Sequence, residues 1–245
     1  MIKLTALREH PRNPGRYEIA LEASGEPAAN ADAGANANAN ANADHRPTAA
    51  KLVVSVDLIA ELKLKPGRVL SAAELERLQS AAAQIDCYDR ALATLGARAR
   101  STADLRRYLK TKDFTDEQID PTIEKLSALG LLDDLEYART FARSRMNPSR
   151  GLGPRRVAAD LARKGVPRHI AEQALRELEA ERAERNEELE ARGETPASAV
   201  EEAAAKKLRS LGGLEPEVRK RRLFGFLARR GFSGSEISAV LRRLD

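Results

Sequence analysis

The sequence predicts a mainly α-helical protein built of tandem three-helix repeats, with a small β-containing region at its N-terminal end. Three observations carry that expectation. Charged residues make up 32% of the chain and aromatics only 4%, with no Trp, so cores must be built from Leu, Ala, Ile and Val on helix-favouring backbone. One apolar pattern recurs three times after residue 86. Strand-like alternation is confined to the first 56 residues.

Near the N-terminus stand Ile2-Lys3-Leu4 and Tyr17-Glu18-Ile19-Ala20-Leu21. The second alternates and reads as a short strand; Arg12-Asn13-Pro14-Gly15-Arg16 before it is turn chemistry. Residues 26–50 are of low complexity, with an Asn-Ala tract. They hold too little apolar surface to offset their ordering entropy and are expected to be disordered. Lys51–Val56 resumes as a strand. Pairing it with Tyr17–Leu21 makes Gly25–Ala50 an overgrown hairpin loop. Asp57–Lys63 and Ser71–Ala83 read as helices, the second opened by a Ser71/Glu74 capping box.

The repeats align on Phe114, Val166 and Phe232. Nine residues earlier stand Leu105, Val157 and Leu223; five earlier, Leu109, Leu161 and Leu227. Five later come Ile119, Ala171 and Ile237; nine later, Ile123, Leu175 and Leu241; twelve later, Leu126, Leu178 and Leu244. Each copy therefore has a middle helix, a sharp turn and a last helix, preceded by Tyr88–Ala97, Glu136–Met146 or Val200–Leu211. The residue before each anchor is Asp113, Gly165 or Gly231. That turn requires φ > 0, which Gly supplies freely and Asp tolerates. Pro121 falls inside the last helix of copy one: either that helix starts late, with Asp120 as its cap, or Pro121 kinks it. Pro154 suits the first position of its helix, after a loop broken by Pro148, Gly151 and Gly153. The expected divisions are an N-terminal region 1–85 with a disordered insert 26–50, repeats over 86–135, 136–180 and 203–245, and an acidic helical extension and linker at 181–202.

Charge is unevenly distributed. Residues 139–168 hold nine bases and one acid, Asp160; residues 169–204 hold eleven acids and four bases; residues 216–245 hold eight bases and three acids. Arg155, Arg156 and Arg163 share an arc opposite Val157 and Leu161, which serves either as a solvated face or as a surface for an acidic partner. Glu172/Arg176, Glu181/Arg185 and Glu188/Arg192 are spaced for i,i+4 pairs, on a helix that runs until Gly193 and Pro196.

Catalytic chemistry finds little support. His10, His45 and His169 are scattered, without neighbours at metal-ligand spacing, and His169 reads as a surface residue. Cys87 is the only cysteine and reads as a half-buried structural thiol. Asp133 and Asp134 read as helix caps, since adjacent helical residues diverge by about 100°. Gly151-x-Gly153-Pro154 lacks the strand and the Gly-Lys-Ser/Thr of a phosphate loop. No aromatic stacking platform for single strands is evident. No apolar run approaches the roughly 20 residues of a membrane span and no signal-like core opens the chain, so a soluble cytoplasmic protein without metal or cofactor is expected. What remains is binding, to phosphate backbones or to an acidic protein groove.

Ala91-Leu92…Leu95…Arg98…Ser101…Leu105…Leu109, Leu126…Leu131-Leu132-Asp133-Asp134…Tyr137-Ala138…Phe141…Ser144-Arg145 and Gly151-x-Gly153-Pro154…Leu161…Lys164-Gly165-Val166 together resemble the RecX family, regulators of the RecA recombinase. The likeness is strongest over residues 86–180; the Asn-Ala tract and the acidic extension depart from it. The resemblance implies an elongated, curved array of three-helix repeats. It implies a non-catalytic monomer that binds the groove of the RecA–DNA filament, with RecA and single- and double-stranded DNA as partners. Such binding inhibits filament extension, ATP hydrolysis, strand exchange and coprotease activity, regulating DNA repair, recombination and the SOS response. The basic residues expected to meet RecA or DNA are Arg145, Arg150, Arg155, Arg156, Arg163, Lys164, Arg168, Lys220, Arg221, Arg222, Arg229 and Arg230. Asp133, Asp134, Tyr137, Gly151, Gly153, Pro154, Gly165 and Gly231 are the structural motif. The competing reading is a stand-alone helical DNA-binding protein, such as a transcriptional regulator, which would show site preference without RecA.

Because closure entropy grows slowly with loop length, deleting Pro27–Arg46 is expected to leave the melting curve unchanged. A loss above about 1–2 kcal/mol in chemical denaturation would show that the tract packs.

Overall fold

The computed structural model describes residues 2–23, 50–147, 151–194 and 198–243. The Asn-Ala tract, His45, Pro148, Arg150, Pro196 and Leu244 lie outside them. Two compact units are present, Met1–Ala93 with Phe114–Thr122, and Thr94–Asp113 with Ile123–Asp245.

The first unit is built on an antiparallel sheet of β1 (Ile2–Glu9), β2 (Arg16–Ala23), β3 (Ala50–Ser55) and β4 (Val69–Leu70), ordered β3-β2-β1-β4. The expected hairpin forms, with Tyr17 opposite Val54 and Ile19 opposite Leu52. The alternation aims Leu4, Ile19, Leu21 and Val54 into one core with Leu62, Leu70 and Leu78. The full length of β1 and the short β4 go beyond the sequence expectation. Strand β3 stops at Ser55, one residue short of the expected Val56, because the Ser55 hydroxyl accepts from the Leu58 amide and caps α1 (Val56–Glu61). That helix ends before the expected Lys63, which takes φ +47°.

Ser71–Ala83 and Tyr88–Ala97, expected as separate helices, form one, α2 (Ala72–Ala97). Nothing between them breaks a helix, and Leu78, Ala82, Cys87 and Ala91 give it a continuous buried stripe. The capping box is present: the Glu74 amide donates to the Ser71 hydroxyl at 3.3 Å, and the Ser71 amide donates to the Glu74 carboxylate at 2.9 Å. Cys87 is fully rather than half buried, and burial pushes its thiol pKa up.

The repeats follow as α3 (Thr102–Lys110) and α4 (Asp116–Ala128); α5 (Asp134–Arg145), α6 (Pro154–Arg163) and α7 (Arg168–Ala191); and α8 (Ala199–Leu208), α9 (Pro216–Arg229) and α10 (Gly234–Arg242). Every described residue of the six apolar columns is buried except Phe114, Ile123 and Leu241, which are half-buried. Fully burying one such Leu contributes about 1.5–3 kcal/mol, against at most about 1 kcal/mol for an exposed ion pair. The columns therefore set the fold of each module. The late-start alternative for Pro121 fails, since α4 begins at Asp116 and holds Pro121 inside. Beside it the buried Thr122 hydroxyl donates to the Gln118 carbonyl, which also accepts from the Gln84 amide.

Within the second unit, successive modules meet at a recurring joint. The Ser101 hydroxyl, at the N-terminal cap of α3, donates to the Lys164 carbonyl at the C-terminal cap of α6, 2.6 Å away. At the same aligned positions one module later, the Gly153 amide donates to the Arg230 carbonyl at 2.8 Å. Each contact sets the negative end of one helix dipole against the positive end of another. The expected left-handed turns are present, with φ of +64° at Asp113, +79° at Gly165 and +88° at Gly231. Close approach adds a second demand for glycine: a Cβ on Gly165 would stand 2.3 Å from the Ala103 Cβ, and one on Gly231 would stand 2.3 Å from the Arg156 amide nitrogen.

Conformation and crowding separate in a pair of variants. Gly130, at φ +67°, has open space where a Cβ would stand, so Gly130→Ala is expected to cost only about 1 kcal/mol. Gly165→Ala carries the same conformational penalty plus the Ala103 clash, and its loss in denaturant titration is expected to exceed that of Gly130→Ala by at least about 1 kcal/mol. Equal losses would remove the crowding argument.

Candidate nucleic-acid interface

The joint brings equivalent faces of α6 and α9 into a repeated setting. Four aligned positions are basic on both helices: Arg155 and Arg221, Arg156 and Arg222, Arg163 and Arg229, Lys164 and Arg230. The first three pairs are exposed, opposite the buried Val157, Leu161, Leu223 and Leu227. The fourth is half-buried, since those residues also form the joint. On α3 and the turn after it the same positions carry Ala103, Asp104, Thr111 and Lys112. Asp104 is enclosed by Arg100 at 3.0 Å and Arg107 at 3.3 Å, so the first module does not share the basic face.

The predicted cations differ in their freedom. Asp160 pairs with Arg156 at 3.3 Å and with Arg163, while Arg155 makes no ion pair among the described residues. Arg168, highly exposed, binds Glu172 at 2.6 Å; this pairing raises the pKa of the guanidinium and lowers that of the carboxyl. Glu172 therefore bonds back to Arg168 rather than forward to Arg176, and Glu181 takes Arg143 of α5 at 3.1 Å instead of Arg185. Together with Arg139–Glu177 at 2.6 Å, the Arg143–Glu181 pair ties α7 to α5, so part of the acidity of α7 is matched inside its own module. Lys220 lies 3.8 Å from Glu217.

Several predicted residues support the face from behind. Arg145 and Lys164 lie over the Phe141 ring at 5.1 and 5.7 Å, and Tyr137 stacks on the same ring with centroids 6.1 Å apart. Arg230 lies 4.7 Å over Phe226 and donates to the Gly151 carbonyl at 3.1 Å. Gly153 is buried as the cap residue of α6, and Pro154 takes its first position. Asp133 caps α5, accepting from the Leu135 and Glu136 amides. Asp134 reaches back to accept the Thr102 amide at 2.7 Å. The two carboxylates thus cap two different helices, α5 and α3. At the next joint Pro154 replaces Thr102 and has no N–H to satisfy.

Sequence reasoning missed two features. Arg182, inside the acidic stretch, donates to the Met146 carbonyl at 2.7 Å and lines a cleft of about 650 Å³ with Leu152, Pro154, Val200 and Phe232. The other is Phe224, an exposed ring on α9. Its signal was available as an aromatic among Lys220, Arg221 and Arg222. Among the described residues, no group of three or more His, Cys, Asp and Glu side chains could hold a metal ion, and no helix is long and apolar enough to cross a membrane. His169 is exposed, as expected.

Comparison with known proteins bears on these modules directly. Family models described as the first, second and third three-helix domains of RecX match residues 87–126, 133–175 and 197–241. The chain is 37% identical over 158 residues to the regulatory protein RecX of Prosthecochloris aestuarii, covering 64% of this chain and 91% of that one. It is 36% identical over 156 residues to the same-named protein of Pelodictyon phaeoclathratiforme, covering 63% and 86%. A crystal structure of regulatory protein RecX matches over 98% of both chains, with a TM-score of 0.66 at 21% identity. That of RecX from Lactobacillus salivarius has a TM-score of 0.55 at 24% identity, covering 66% of this chain and 97% of its own. The likeness to the two solved structures is one of fold.

Asp160 holds two cations of the basic face back, so Asp160→Asn is expected to release them. The variant should elute from a heparin column at higher salt than the wild type, with stability changed by no more than about 1 kcal/mol. Unchanged elution would show that Arg156 and Arg163 do not face the polyanion.

Proposed function

Because the chain belongs to the RecX family of regulatory proteins, we propose that it is a non-catalytic modulator of the RecA recombinase. On this reading it binds as a monomer in the groove of the RecA–DNA filament and inhibits ATP hydrolysis, strand exchange and coprotease activity. DNA repair, recombination and the SOS response are then the processes it regulates in the cytoplasm. The observation that carries the reading is the duplication of one four-position basic pattern on α6 and α9. A repeated cationic face on modules of one unit suits a polymeric, repeating polyanion such as a nucleoprotein filament, whose phosphates attract it through counterion release. The expected divisions into an N-terminal region, three repeats and an acidic extension serve the same reading as its working parts.

The direct test is RecA ATPase on single-stranded DNA, with and without the protein, across a salt series. Inhibition is expected, and it should fade as salt rises. Arg155→Glu/Arg156→Glu/Arg163→Glu should raise the concentration needed for inhibition at least about tenfold, while helical circular dichroism is retained. The reversal sets new carboxylates beside Asp160, so Arg155→Gln/Arg156→Gln/Arg163→Gln is the companion that avoids that repulsion. Full inhibition by both variants would place the functional face elsewhere. Site-specific duplex binding in the absence of RecA would favour the transcriptional-regulator reading.

A further inference from the structure

The chain has five Phe, four Tyr and no Trp, all among the described residues, and Phe224 alone is exposed, at 44% of its surface. It sits on α9, between Lys220 and Arg221 one turn earlier and Ala228 one turn later, which share its face. The methyl group of Ala228 leaves the ring uncovered on that side. Arg229 folds back along α9 so that its Nη1 would lie 3.4 Å from a Cβ at Gly225.

Other rings of the helical modules are covered. Tyr108 lies under Arg100 and Lys112, Phe141 under Arg145 and Lys164, and Phe226 under Lys207 and Arg230. No cation lies over Phe224 among the described residues. Nor does an apolar patch surround it, as a hydrophobic protein interface would require. A bare ring beside two cations matches a nucleotide, whose base offers a π-face and whose phosphate pairs with the adjoining side chains.

We propose that Phe224 is a base-stacking residue for single-stranded nucleic acid, with Lys220 and Arg221 holding the adjoining phosphates. The proposal rests on reading the basic face as a nucleic-acid contact and adds to it a preference for unpaired bases. A duplex keeps its bases stacked on one another, so the ring gains nothing from it.

The absence of Trp supplies the test. In this 245-residue chain, Phe224→Trp introduces the sole tryptophan, whose fluorescence should be quenched by single-stranded oligothymidylate and not by a duplex of equal length. Phe224→Ala should weaken oligothymidylate binding about tenfold and leave duplex binding unchanged, whereas Phe224→Tyr should retain both. Equal losses on single strand and duplex, an unchanged single-strand affinity, or a loss confined to binding DNA-free RecA would each overturn the proposal. Wild-type RecA ATPase measured alongside separates the two readings. Inhibition by the wild type with unaltered binding by Phe224→Ala removes the stacking role alone. A selective single-strand loss without wild-type inhibition removes the RecA role alone.

Discussion

The bond from the cap of one middle helix to the final carbonyl of the next module's middle helix is the contact on which the second unit depends. It is made by a hydroxyl at Ser101 and by a backbone amide at Gly153. Both versions satisfy a carbonyl that would otherwise be an orphan at a helix C-terminus. The backbones must come close for this, and glycine follows from that distance. A Cβ on Gly153 would stand 2.4 Å from the Gly231 carbonyl group, so the second joint uses glycine on both sides. The first copy has Asp113 at the turn, with its side chain exposed, where no earlier three-helix module docks.

The joint also decides which cations are available. Lys164 and Arg230 contribute their carbonyls to it, and their side chains lie over Phe141 and Phe226. They anchor the edge of the face, while Arg155, Arg221, Arg222 and Arg229 project from it. Aromatic scarcity has a consequence here. With cores made of Leu, Ala and Val, several of the few rings serve as seats for guanidinium and ammonium groups, interactions of about 0.5–1 kcal/mol at exposed sites. Their value is in directing charge more than in stabilising the fold. On the proposed reading, binding through this face uses such a fixed distribution of charge, held on helices.

The acidic stretch shows how local and tertiary pairing compete. On an isolated helix, Glu172, Glu181 and Glu188 are spaced for Arg partners four residues on, each pair contributing about 0.2–0.5 kcal/mol. In the folded module α5 presents Arg139 and Arg143 to Glu177 and Glu181; at Glu181 the cross-helix partner prevails because packing has already brought it close, while Glu172 keeps a local partner in Arg168. Glu177 and Glu181 thereby tie α7 to α5.

The sequence by itself determined what depends on near neighbours along the chain. The apolar columns, the positive-φ turns at Asp113, Gly165 and Gly231, the proline start of α6 and the Tyr17–Leu21 hairpin partner all follow from local periodicity and turn chemistry. They mark out the modules and the basic face of Arg155, Arg156 and Arg163. Tertiary structure decided the rest. Ser101 meets Lys164, and Thr102 meets Asp134, only when modules dock; the continuous buried stripe of α2 and the added β1 and β4 likewise depend on packing. Phe224 is the sharpest case. The apolar columns assign its neighbour Leu223 to the core and leave Phe224 off it, but that the ring stays uncovered depends on what else packs against α9.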